Sequence, residues 1–219
     1  MIDNRRIIIS LTSWNKRICN VSKVVYSLLN QTVKPDSIEV NLSTDEFTNK
    51  ENDLPEDLVA ILNEDLIKIN WVEKNTFVFK KFIPVLQKYY GEDYYLFTVD
   101  EDWLYDTNYI KSMLEELEDN DVYCPCTYGV IGNRTVYKST IFNKDFWEKL
   151  SQEIIDTRVD DSYIKYYLKI KKNVKTKFNA NLHIKQMIKS YNEIEPLHNF
   201  YLKNDRINTA ELLSKEVWK

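Results

Sequence analysis

Glycine and proline are scarce, 3 and 5 residues among 219, which excludes collagen-like and linker-dominated architectures. Cysteine is equally sparse: Cys19, Cys124 and Cys126 form an odd set with no C-x-x-C pair. Cys124-Pro125-Cys126 is too tight to bridge comfortably and lacks zinc-ligand spacing, so all three read as reduced thiols in a reducing compartment. His183 and His198 are the only histidines, too few for a histidine-rich metal centre. No window approaches the roughly 20 apolar residues of a spanning helix. The run Ile7-Ile8-Ile9 stops at Ser10, short of a signal-peptide core. These absences predict a cytoplasmic protein, soluble or peripheral at the inner face of the membrane. Charge is nearly balanced, 30 basic against 34 acidic residues, which argues against a nucleic-acid partner.

What is present points to a packed core: 43% hydrophobic residues and 13% aromatic, with 15 tyrosines. The length suits one good-sized domain. Ile7 to Leu11 reads as a buried strand, and Val21, Val24, Val25, Leu28 and Leu29 follow at helical spacing. Ile38 to Leu42 is a second strand, so the first forty residues form a βαβ unit with parallel strands. A short helix from Leu54 to Leu62 and a third strand, Leu66 to Val72, come next. A helix spans Lys80 to Tyr90 with Pro84 in its first turn, where the missing N–H matters least. Tyr94 to Val99 is a fourth, strongly β-prone strand, and a helix runs from about Thr107 to Glu118.

After Asp121 the rhythm changes. Short strands are expected at Val122–Cys124, Val130–Ile131 and Thr135–Tyr137. Helices are expected at about Lys144–Ile155 and Asp161–Lys171, then a strand at Val174–Phe178 and a helix at Arg206–Val217. The fold class is α/β: one domain over 1–219 with a mostly parallel sheet. Its nucleotide-binding-type half covers about 1–120, and a more irregular half covers about 121–219.

Asp100 and Asp102 stand two apart where the fourth strand ends. In an extended chain both point the same way, about 6.6 Å apart, while Glu101 points elsewhere. In open α/β sheets ligands bind beyond the carboxyl ends of the strands. Two hard oxygen donors there suit Mg2+ or Mn2+ shared with a phosphate. The alternative is a solvated acidic turn, with Asp106 or Thr107 capping the next helix.

Several blocks resemble one family. Ile9-Ser10-Leu11-Thr12-Ser13-Trp14-Asn15-Lys16-Arg17-Ile18 is similar to the opening of a group of bacterial family-2-like glycosyltransferases. Ser27 to Asp36, Lys80-Lys81-Phe82-Ile83-Pro84-Val85-Leu86 and Thr98 to Tyr105 resemble later blocks of that group, in the same order. The resemblance implies a GT-A fold, a nucleotide-sugar donor and a D-x-D metal site. Glu101 replaces the middle aspartate of the pattern, Trp103 an aliphatic residue, and Asp106 a proline. Beyond residue 121 the match thins to Val159-Asp160-Asp161-Ser162-Tyr163 and Asn204-Asp205.

The resemblance implies that Thr12, Ser13 and Arg17 form a loop over the donor, with Arg17 on the diphosphate. Otherwise Arg17 is an exposed arginine at a helix start. Ser43 and Asp45 stand where a base or ribose would be read, although Asp45 equally suits a turn cap. Lys81 is a diphosphate contact or a solvated helix lysine. Asp100 and Glu101 join the donor site, and His198 completes the metal site with Asp100 and Asp102, or is merely structural. Inverting sugar transfer needs a carboxylate on the acceptor side to take the hydroxyl proton. Asp161, or its neighbour Asp160, fits that role; the alternative for Asp160 is N-capping of the helix that follows. Lysines 165 to 189 form a basic run facing anionic lipid or a lipid-linked acceptor, or simply a solvated face.

The reading is therefore a metal-dependent glycosyltransferase moving a sugar from a nucleoside-diphosphate donor, UDP-linked, to a glycan or glycolipid acceptor of surface polysaccharide. A nucleotidyltransferase is the enzymatic rival, but it would usually show a glycine-rich loop after the first strand. A non-catalytic membrane or nucleic-acid binder using residues 165–189 is the other.

Overall fold

The first β-branched run forms β1 (Arg6–Thr12) at the centre of a seven-stranded sheet in the computed structural model. The structure describes residues 3–62, 65–126, 132, 134–171, 173–179, 187–189 and 205–219. β1 lies parallel to β2 (Ser37–Ser43) on one side and to β4 (Tyr94–Thr98) on the other. β3 (Ile67–Val72) extends the parallel set beyond β2. Past β4 come β7 (Thr135–Lys138), the antiparallel member, then β6 (Val122–Cys124) and β8 (Thr176–Phe178). The order β3-β2-β1-β4-β7-β6-β8 makes the sheet mostly parallel, as the βαβ pattern implied.

Alternation along β1 builds two cores. Ile7, Ile9 and Leu11 pack with α1 (Val21–Leu29) and α4 (Tyr109–Leu117) on one face. Ile8 faces the other core, with α3 (Ile83–Lys88), α7 (Asp160–Ile170) and Trp218, beyond α8 (Arg206–Val217). Ile7, Ile8, Ile9 and Leu11 are all buried, so the central strand is covered on both sides.

Several boundaries differ from expectation. The helix expected from Lys80 begins as a 3-10 turn at Phe77–Lys81 and becomes α-helical only at Ile83, with Pro84 in its first turn. The helix expected at Lys144–Ile155 is two helices, α5 (Asp145–Glu148) and α6 (Gln152–Thr157). Ser151 separates them: its extended backbone breaks the helix, and its side chain accepts the Ile154 N–H. α2 is only Glu56–Val59. Trp103–Tyr105, not expected as a strand, forms β5 and pairs antiparallel with β9 (Met187–Lys189). Val159, not Asp160, is the N-cap of α7, and no side chain caps that helix. The strand expected at Val130–Ile131 lies outside the described residues.

Candidate active site

Parallel pairing sets the carboxyl ends of β1 and β4 side by side, with Ser10 opposite Thr98. β1 runs on toward Thr12, Ser13 and Arg17, and β4 toward Asp100, Glu101 and Asp102. The three acids stand between β4 and β5, Asp100 just past β4 and Glu101 and Asp102 in a turn. Tyr105 pins that turn: its hydroxyl accepts the Asp100 N–H at 3.0 Å and lies 3.3 Å from the Asp100 carbonyl, to which it donates. The strand rule therefore does not govern their directions. Asp100 faces Lys81, 3.4 Å away, whereas Glu101 and Asp102 both face Arg17, at 3.3 and 2.8 Å.

Neither basic side chain is solvated. Arg17 keeps 5% of its exposure and Lys81 keeps 3%, so the exposed-arginine and solvated-lysine alternatives fall. Lys81 also reaches Asp160 Oδ2, 3.0 Å away, and so ties the end of β4 to the start of α7. Beside it, Asp161 Oδ1 accepts the Gly132 N–H at 2.7 Å. A Cβ at Gly132 would come within 2.4 Å of Asp160 Oδ2 and 2.8 Å of Asp161 Oδ1, so only glycine lets the chain approach this closely.

Burial works against the charge on Lys81, but Asp160, Asp100 and Asp161 outweigh it and hold its pKa above the ordinary value. Burial raises the Asp100 carboxyl, with Lys81 opposing. Glu101 is pushed up to about 7 by burial, which Arg17 offsets only in part. Asp161 is also raised to about 7, by burial and by the charge of Asp160. Five carboxylates thus share this edge of the sheet with Arg17, Lys81 and Arg134. Acid is in excess.

That excess suits a divalent cation. Among the described residues no three His, Cys, Asp or Glu side chains converge on one point. The donor set on hand is instead one or two carboxylates, which fits Mg2+ or Mn2+ when substrate phosphate and water complete the shell. His198 and His183 lie outside the described residues.

A second cluster lies at the end of β2. Ser43 is buried and donates to Glu46 Oε2 at 2.7 Å, and Lys80 Nζ stands 3.2 Å from Ser43 Oγ and 2.6 Å from Glu46. Burial lowers the Lys80 pKa, with Glu46 opposing. Asp45 is exposed in the adjoining turn. The Thr12 hydroxyl is engaged by the Asn41 carbonyl at 2.8 Å, and Ser13 is buried. Lys80, Glu46, Gly132 and Arg134 were not among the residues singled out from sequence. The signal available for Lys80 was its adjacency to Lys81: in a tight 3-10 turn, neighbours point about 120° apart and reach different strands.

The lysines of 165–189 that the structure describes lie largely against acids and rings. Lys177 pairs with Glu116 and Glu118 at 3.0 and 3.4 Å, Lys165 stands 3.7 Å from Glu211, and Lys171 lies over the Tyr167 ring. Among the described residues no helix is long and apolar enough to cross a membrane.

A family model described as glycosyl transferase family 2 matches residues 9–216. The chain belongs to glycosyl transferase family 2. A search of curated proteins returns no match. Among solved structures, this glycosyltransferase resembles S. aureus TarS 1–349 in complex with UDP-GlcNAc, at 14% identity and a TM-score of 0.58. That alignment covers 97% of this chain and 70% of TarS 1–349. The UDP complex of the same TarS fragment aligns at 12% identity and a TM-score of 0.55, covering 97% and 69%. A 4-diphosphocytidyl-2C-methyl-D-erythritol synthase from Anaerococcus prevotii DSM 20548 aligns at 11% identity and a TM-score of 0.53, covering 97% of both chains. At these identities the likeness is one of fold, the GT-A-type α/β sheet.

Proposed function

We propose that this glycosyltransferase moves a sugar from a UDP-linked donor to a hydroxyl of a glycan or lipid-linked acceptor in surface polysaccharide synthesis, with Mn2+ or Mg2+ as cofactor. The observation that carries the reading is the acidic turn at the ends of β1 and β4, flanked by two buried cations, Arg17 and Lys81. The UDP and UDP-GlcNAc complexes of TarS, which share the fold, support the nucleotide. In this reading Thr12, Ser13, Ser43 and Asp45 border the nucleoside, while Arg17 and Lys81 receive the diphosphate. Asp100 and Asp102 hold the divalent cation, with His198 as a further candidate ligand. When bound, the cation neutralises charge on the departing diphosphate.

Transfer breaks the bond between the sugar's anomeric carbon and the diphosphate oxygen and forms one to the acceptor oxygen. The acceptor's proton goes to Asp161. Of the two aspartates, Asp160 is spent on Lys81 and buried. Asp161 is half-buried and its carboxyl is raised to about 7, near the value a general base needs.

Calorimetric titration of UDP, CDP and GDP with and without Mn2+, against wild type and Asp102→Asn, tests this. Mn2+-dependent UDP binding that the variant loses is the expected result. Binding of no nucleotide under any metal condition overturns the donor site, and release of pyrophosphate from a nucleoside triphosphate would favour nucleotidyl transfer instead.

A further inference from the structure

Arg17 combines deep burial with idle donors. It keeps 5% of its exposure, yet among the described residues its Nε–H has no acceptor, and its Nη2 meets Asp102 at 2.8 Å as an ion pair without hydrogen-bond alignment. Leaving guanidinium donors unused out of water costs free energy, so a second acceptor is the usual reason to keep such an arrangement. The group belongs to the loop between β1 and α1, while the acids it faces belong to the turn after β4. It is therefore a charge brought to this turn from elsewhere in the fold.

The two carboxylates assigned to the divalent cation are each already matched by a monovalent one. Lys81 stands on Asp100, and Arg17 on Asp102. Lys81 has a further anchor in Asp160. Among the described residues Arg17 has ion pairs with Glu101 and Asp102 alone. A divalent cation that shares Asp102 with Arg17 sits a few ångströms from a full positive charge in a partly desolvated site, where such repulsion is weakly screened. A diphosphate reverses the balance, since it offers the guanidinium the bidentate acceptor it lacks.

We propose that Arg17 is a charge-exchange residue: it neutralises Asp102 and Glu101 until donor and divalent cation arrive together, then turns its idle donors to the diphosphate as Asp102 passes to the cation. The proposal rests on the donor and cation reading given above. Its consequence is positive coupling between the two ligands, each tightening the other by the same factor. Removing Arg17 then has opposite effects on the two: the cation alone binds more tightly, and the donor more weakly. A residue that only contacts diphosphate would leave the affinity for the cation alone unchanged.

Electron paramagnetic resonance of Mn2+, with and without saturating UDP, reads both sides for wild type, Arg17→Met and Arg17→Lys. Arg17→Met should bind Mn2+ alone about tenfold more tightly than wild type, equivalent to ~1.4 kcal/mol. The tightening that UDP produces should shrink by a similar factor, and Arg17→Lys, which keeps the charge but not the guanidinium fork, should match wild type for Mn2+ alone and retain only part of the UDP-driven tightening. Mn2+ binding by Arg17→Met that is equal to or weaker than wild type overturns the exchange. If Mn2+ fails to bind wild type even with UDP, the cation reading falls and the exchange with it. If Mn2+ binds with UDP but ignores Arg17→Met, the exchange alone falls. A second readout needs only folded wild type: the Arg17 Nε–H resonance, assigned through Arg17→Lys, should move when Mg2+ and UDP are added together. A resonance unmoved at saturation overturns the proposal.

Discussion

Two acidic sites on the same sheet, one a single buried glutamate and the other a half-buried group of five carboxylates, are treated oppositely. Glu39, in the middle of β2, has no exposure and accepts four donors: Ser37 Oγ and Tyr89 OH at 2.6 Å, Lys88 Nζ and Asn70 Nδ2 at 2.8 Å. Burial works to raise its pKa, but those donors outweigh burial and hold the carboxyl below its ordinary value. At the end of β4 the acids outnumber their partners, and burial wins: Glu101 and Asp161 both rise to about 7. A saturated acid is a structural device, whereas a buried acid short of partners marks a place where charge is meant to arrive.

The largest expected effects come from the unsaturated cluster, and they fall on activity. Asp102→Asn should lower sugar transfer by about 10³-fold, through loss of electrostatic stabilisation, while leaving the urea midpoint at or above wild type. An unfolded variant would place Asp102 with the structural acids and break the contrast. Asp161→Asn should cost roughly 10²–10⁴-fold, the range for a lost general base. Its stability should show the opposite sign. Because the folded pKa of Asp161 lies above its ordinary 3.8, its favourable contribution is present at low pH and lost as pH rises toward about 7. Wild type should therefore fall behind Asp161→Asn in thermal midpoint between pH 4 and 7.5. A parallel pair of profiles would show that Asp161 carries no such burden. Gly132→Ala is next, at about 10²-fold in turnover, because its Cβ would displace Asp160 and Asp161 by an ångström or so. A variant with wild-type kcat would mean that the loop yields instead.

Much of this contrast was legible in the sequence, and the rest was hidden for identifiable reasons. The β-branched run at Ile7–Ile9 and the aromatic run at Tyr94–Phe97 specify the two central strands, and their shared carboxyl ends locate the acidic turn. Spacing could not tell where that turn's side chains point, because Tyr105 folds the segment out of the extended geometry that the i, i+2 rule assumes. β2 misleads in another way. Ser37, Glu39, Asn41 and Ser43 alternate with Ile38, Val40 and Leu42, a period that ordinarily signals one wet face. Here both faces are buried, because Lys80, Lys88 and Tyr89 supply partners from the 3-10 turn, the end of α3 and the residue after it. That pairing is long-range and has no local signature.

On the saturated side the expected effects fall on stability. Glu39→Gln removes a charge from hydrogen bonds that each contribute more than neutral ones do, and should cost about 2–3 kcal/mol by urea unfolding with activity nearly intact. The pH sign is the reverse of Asp161. A folded pKa below the ordinary 4.5 means that Glu39 stabilises fully above that value, and that the contribution is lost as pH falls through the folded pKa. Wild type should accordingly begin to lose its advantage over Glu39→Gln as pH falls below the ordinary 4.5. An advantage that does not decline at all on acidification below that value would mean that the stabilisation does not come from the ionised carboxylate.

Ser37→Ala is the smallest change and the sharpest question about that cluster. It deletes one of the four donors to Glu39 and leaves Tyr89, Lys88 and Asn70 in place. If the donors act independently, the loss should be about 1 kcal/mol, the net contribution of one ordinary hydrogen bond. If they polarise one another through the shared carboxylate, removing one weakens the other three, and the loss rises toward that of Glu39→Gln. The double variant Ser37→Ala/Glu39→Gln separates these cases, since a hydroxyl that acts only through Glu39 costs little once the charge is gone. We expect the independent value. Three separate segments, β2, β3 and the end of α3 with the residue after it, hold these donors in place, so losing Ser37 should leave the others aligned on Glu39.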